Sequence, residues 1–145
     1  MAGAFVEIDD RQINASLHRL LQVSNNLEPV FRDIGEYLLI SHRARFEAQV
    51  DPEGHRWEQL SPQYLAEKPY NQDKILVLDG HLMGDLHYDP PAPDHLDFGT
   101  NKIYGARHQF GWNEQGLHAR PFLGVSTEDE AEILAIIYQH LQDAV

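Results

Sequence analysis

Nine histidines fall among 145 residues, and His81, Asp85, His87, His95 and Asp97 share one stretch. Imidazole and carboxylate groups are zinc ligands, and a zinc ion that keeps one open position turns bound water into a nucleophile. One reading is therefore a small metal-dependent hydrolase built on His81, Asp85, His87 and His95. Spacing argues against it. Ligands must converge at about 2 Å, yet no H-E-x-x-H, H-x-H or H-x-x-x-H pattern fixes two of these histidines on one element. His87 and His95 could face each other across a hairpin, but that pair supplies two ligands and not a site. Histidines dispersed over an acidic surface explain the stretch more simply, and neither a metal nor another cofactor is expected.

Other reaction chemistries find fewer residues. The chain has no cysteine, which removes thiolate catalysis, Cys-ligated zinc and disulfides, and fits a reducing compartment. There is no G-x-S-x-G elbow, and Ser16, Ser24, Ser41, Ser61 and Ser126 read as helix caps or exposed positions. Carboxylates cluster at Asp9–Asp10 and from Glu128 to Glu132, where a helix start already favours negative charge. No glycine pattern matches a phosphate-binding loop. The sequence reads as a protein without a catalytic site.

Composition narrows the partners. Lys and Arg number 11 against 23 Asp and Glu, a net charge of −12, so general attraction to nucleic-acid phosphates is excluded as its working principle. No apolar run approaches the roughly 20 residues that cross a bilayer. Residues 1–9 lack the basic and long apolar regions of a signal peptide, so a soluble, unexported protein is expected. With 42% apolar and 10% aromatic residues the chain has enough material for one buried core, and residues 1–145 read as a single domain.

The elements that must position these residues follow from periodicity. Ala4 to Ile8 suggests a short strand, with Asp9 or Asp10 as the cap of a helix carrying Ile13, Leu17, Leu20 and Leu21. Ser24, Asn25 and Asn26 stop that helix and cap the next. Leu27, Phe31, Ile34, Leu38, His42 and Phe46 form one stripe over about residues 27–48, with Pro29 in the first turn and Gly35 hinting at close packing. The middle third is broken by Pro and Gly. It suggests a short helix from Ser61 to Lys68, an apolar run from Ile75 to Leu78, and a helical turn through Leu82, Met83 and Leu86. Leu86–Tyr88 and His95–Phe98 should form antiparallel strands around a proline-rich tip. Thr100 or Asn101 could cap a short helix from about 102 to 109. The last helix, about 127–142, starts with the T-x-x-E spacing of a capping box at Thr127 and Glu130. Helices at both ends of a small, mainly antiparallel central sheet define an α+β fold.

Two clusters stand outside these explanations. One is the turn Asp51-Pro-Glu-Gly-His-Arg-Trp57-Glu-Gln-Leu-Ser61, in which Trp57 either anchors the turn on the core or faces a partner. The other runs from Gly99 through Tyr104, His108, Gln109, Phe110 and Gly111, and continues after an irregular stretch as Ala119-Arg-Pro-Phe-Leu-Gly124. Aromatic and Arg-rich surfaces of this kind usually bury against protein. Pro121 biases Arg120 toward an extended conformation, which would send Phe122 to the core near the last helix and Arg120 to a carboxylate partner.

Together with Ile75-Leu76 and Gly80-His-Leu82, these motifs in this order resemble the phage virion morphogenesis family, over about residues 25–142. The resemblance implies a noncatalytic structural protein acting in tail completion and head–tail joining of a contractile-tailed phage or prophage. It would work in the bacterial cytoplasm during assembly and at the head–tail junction of the virion. Its partners would be phage tail and head-completion proteins and copies of itself, since repeated virion parts usually assemble through heterologous contacts that close into a ring. Trp57, Tyr104, His108, Gln109, Phe110, Arg120 and Phe122 are the candidate interface or structural residues.

Overall fold

The computed structural model describes residues 4–6, 10–57, 86–88, 96–100, 109 and 122–144. Strand β1 spans Ala4–Phe5, helix α1 Arg11–Ser24, helix α2 Glu28–Ala48, strand β2 His87–Tyr88, strand β3 Phe98–Thr100 and helix α3 Thr127–Ala144. The strands form one antiparallel sheet in the order β1-β3-β2. Both α1 and α2 pack against α3, and β2 lies on α2. The fold is α+β. No helix among the described residues is long and apolar enough to cross a membrane.

Local chemistry sets the helix ends. The Asp10 carboxylate accepts the Ile13 amide at 2.9 Å and caps α1, satisfying one of the first-turn N–H groups that lack an intrahelical acceptor. Asn25 ends that helix in the left-handed region, φ 56°, which Asn tolerates better than most residues. Its neighbour Asn26 then accepts the Glu28 amide at 3.0 Å as α2 begins. Pro29 sits in the first turn of α2, where its missing N–H costs nothing. The α2 stripe is buried as its period requires: Leu27, Phe31, Ile34, Leu38, His42 and Phe46 are all interior. Against them lie Ile13 and Leu20 of α1, Ile133, Ile137 and Leu141 of α3, and Phe98 of the central strand.

Two expectations change. The capping box of α3 is shifted by one residue. Ser126 Oγ accepts the Asp129 amide at 3.0 Å while the Ser126 amide donates to Asp129 Oδ2, also at 3.0 Å. The shorter Asp closes the box, and the T-x-x-E spacing of Thr127 and Glu130 is not used. The hairpin register places His87 opposite Gly99 and Tyr88 opposite Phe98, so His87 does not pair with His95 across the ladder. Thr100 ends β3 and is fully buried. The expected helix from 61 to 68, the apolar run from 75 to 78 and the turn through Leu82 and Met83 lie outside the described residues. Of the helix expected from 102 to 109, only Gln109 is described, and it is helical.

Gly35 is the point where sheet and helix meet most closely. A Cβ built there would lie 2.7 Å from Tyr88 Cγ and Cδ1 and 2.9 Å from Cδ2. These atoms sit at the root of a ring fixed by the strand and by a Tyr88 hydroxyl bond to Glu36 at 2.7 Å, so the ring cannot swing away cheaply. Gly35→Ala gains up to about 1 kcal/mol of helix propensity but overpacks this contact by about 1–3 kcal/mol. A net loss of about 1 kcal/mol is expected from urea denaturation. A variant more stable than the parent would show that β2 yields freely.

Candidate functional site

The segment from Phe122 to Ser126 has no regular secondary structure, so its backbone polar groups need partners from elsewhere. Side chains supply them. The Gln109 amide accepts the N–H groups of Phe122 and Leu123 at 2.8 and 2.9 Å and donates to the Leu123 carbonyl at 3.1 Å. The Gly124 amide donates to His42 Nε2 at 3.2 Å, and its carbonyl accepts from Arg45 Nη1 at 2.9 Å. Gly124 has φ 153°, and a Cβ there would stand 2.7 Å from the Pro52 ring, so this position requires glycine for conformation and for space.

A buried polar node lies beneath that segment. Arg45 projects from α2 one residue before Phe46 and is only 7% exposed, and Asp129 is 3% exposed. Arg45 Nη2 forms a short ion pair with Asp129 Oδ2. The Tyr37 hydroxyl donates to Asp129 Oδ1 at 2.7 Å. Arg45 Nη1 also donates to His42 Nε2 at 3.0 Å. Both neighbours of Nε2 can only donate, so Nε2 is the acceptor and Nδ1 carries the proton, which it donates to the Leu38 carbonyl at 2.8 Å. His42 is therefore neutral. The node ties α2 to the first turn of α3 and leaves each buried polar group paired, as burial demands.

Electrostatics follow this geometry. Burial, reinforced by the Arg45 guanidinium, pushes the His42 pKa down to about 4 against the opposing pull of the Leu38 carbonyl and Asp129. Burial works against ionised Asp129, but the Ser126 amide, the Tyr37 hydroxyl and Arg45 together outweigh it and hold the carboxyl below the ordinary range. Tyr37 is raised by burial and by its bond to Asp129. A catalytic base needs a free lone pair aimed at a substrate. His42 spends its own on the protein.

Beside the node opens a groove of about 610 Å³. One wall is the turn after α2, in which Asp51 Oδ1 accepts the amides of Glu53 and His55, each at 2.9 Å, and Gly54 takes φ 90°. The other wall is the Val125–Glu130 segment that enters α3, and the floor is the α2 face carrying Tyr37, Ser41, Ala44 and Ala48.

Of the seven candidate interface residues, Trp57, Gln109 and Phe122 are described; Trp57 and Phe122 are buried and Gln109 is half-buried. Trp57 is 3% exposed, its ring 5.5 Å from Phe46 in edge contact, and its amide donates to the Gln49 carbonyl at 2.9 Å. Phe122 is fully buried, its ring 5.6 Å from that of Phe46. Gln109 clasps the backbone as described above. Tyr104, His108, Phe110 and Arg120 lie outside the described residues, as do His81, Asp85 and His95. Among the described residues no three His, Asp or Glu side chains group as metal ligands. In the sequence His42 reads only as a stripe member and Asp129 only as an acid in the first turn of the last helix, while Arg45 and Tyr37 stand out by no local motif. A signal exists for Arg45 only in its placement: it shares the inward face of α2 with His42 and Phe46, and an Arg there needs a counter-charge.

An α+β scaffold whose interior polar groups serve to fix a loop beside an open groove has the build of a structural or binding protein. The chain belongs to the phage virion morphogenesis family, which it matches over residues 8–142. It is similar to protein G of Escherichia phage Mu, a protein named for capsid assembly, with 32% identity over 153 residues covering 97% of this chain and 95% of that one. It is also similar to G protein 2 of the Mu-like prophage FluMu in Haemophilus influenzae, with 29% identity covering 94% of this chain and 95% of that protein. No solved structure matches it significantly.

Proposed function

We propose that this chain is a noncatalytic assembly protein that completes the tail and joins it to the head, working as part of a ring at the virion neck with tail and head-completion proteins. The observation that carries this reading is the family match along nearly the whole chain, joined by a phage relative named for capsid assembly that is covered almost end to end. The geometry supports it: Arg45, Asp129 and His42 are committed to one another and to the backbone, which suits a rigid connector. Deleting the gene from a phage or prophage that carries it should leave heads and tails unjoined in electron micrographs and abolish infectivity, and a wild-type copy should restore both. Joined particles with normal tails and full infectivity from the deletion strain would overturn the proposal.

A further inference from the structure

We infer that the groove between α2, the Asp51 turn and the start of α3 is the docking site for a basic, amphipathic segment of a neighbouring virion protein, an inference that rests on the assembly role proposed above. The volume of about 610 Å³ lies within the roughly 300–1,000 Å³ of pockets that enclose whole ligands, so several side chains of a partner can enter. Small residues make the space: Ser41, Ala44 and Ala48 lie along one face of α2, and both Ala44 and Ala48 are exposed. Val50 and Val125 add apolar surface to the walls.

Charge defines the occupant. Glu53 of the Asp51 turn and Glu128 at the start of α3 are both exposed, and Asp51 and Glu130 also line the groove. The guanidinium among the lining groups, Arg45, is neutralised by Asp129. A cleft lined by one sign of charge focuses its field, so this one attracts Lys or Arg side chains over an apolar floor. A second copy of the chain brings a net charge of −12 toward the same field and is the poorer fit.

A synthetic amphipathic helical peptide with lysines on one face and leucines on the other serves as the probe for the full-length protein. It should bind in fluorescence anisotropy, with amide shifts concentrated at Ser41, Ala44, Ala48 and Val125. Glu53→Lys/Glu128→Lys should weaken binding about tenfold, as two opposed charges require. Ala44→Trp, which fills the floor without changing charge, should weaken it as well. Equal binding of a scrambled peptide of the same composition, shifts spread over the acidic surface, or full affinity in either variant would overturn the inference. Shifts at the same residues on concentrating the protein without peptide would reassign the groove to a second copy and overturn it too. In the deletion strain, a folded Glu53→Lys/Glu128→Lys protein should fail to restore infectivity. Full restoration by that variant refutes the docking site alone, whereas a deletion strain that still joins heads to tails refutes the assembly role.

Discussion

Asp129→Ala is expected to lower the unfolding free energy by about 3–5 kcal/mol, the usual cost of removing one partner from a buried ion pair. Three bonds disappear together: the Tyr37 hydroxyl and the Ser126 amide lose their acceptor, and Arg45 keeps its charge in the interior with carbonyls and an imidazole around it. Arg45→Met should cost a similar amount, about 3–5 kcal/mol: Asp129 keeps the Ser126 and Tyr37 donors but loses its counter-charge, and the Gly124 carbonyl loses its donor. The double variant should therefore lose less than the sum of the two single losses. Urea denaturation of all four proteins measures the cycle. Losses that add within about 0.5 kcal/mol would mean the two groups do not couple in the folded state. Since domains are stable by about 5–15 kcal/mol, Asp129→Ala should also release the Phe122–Ser126 segment and with it one wall of the groove.

The contrast between Phe46 and Asp129 shows what this sequence makes legible. Phe46 belongs to a stripe of apolar residues at helical spacing, and that period depends only on local geometry. The bounds of α2, the inward stripe and the last helix follow from it. Asp129 sits among acidic residues at a helix start, where the dipole explains any carboxylate. Its burial depends on Arg45, 84 residues earlier, and no local pattern reports such a pairing. Ser126 and Asp129 do have capping-box spacing, but Thr127 and Glu130 offer the same spacing one residue later, and only the ion pair beneath selects between them. The strands are a different case. With two or three residues each, they carry too little alternation to fix a register, so the placement of His87 opposite Gly99 had to come from the structure. Likewise, Trp57 and Phe122 are aromatic whether they face a partner or the core, and only the structure places both rings against Phe46.

Acid should destabilise the protein through His42 in a window set by two pKa values. In the unfolded chain the imidazole titrates near 6.5, and in the fold burial and Arg45 hold it down to about 4. Above pH 6.5 both states are neutral and the node is intact. Between 6.5 and 4 the unfolded chain takes up a proton that the fold refuses, so stability falls as pH falls. Below 4 His42 itself is protonated, and a second N–H would face the Gly124 amide and the Arg45 guanidinium that now donate to Nε2. At about 1.4 kcal/mol per pKa unit, the loss over the window is roughly 3 kcal/mol. Asp129 adds to it only at still lower pH, because its carboxyl is held below the ordinary range. The control is His42→Gln, a neutral side chain without a titrating group, compared by its slope with pH and not by its baseline stability. Urea midpoints measured from pH 7.5 to 4.5 should fall steeply in the wild type and distinctly less in His42→Gln. Parallel profiles would refute the assignment, since a histidine whose protonation the fold tolerates cannot be accepting both the Gly124 amide and Arg45.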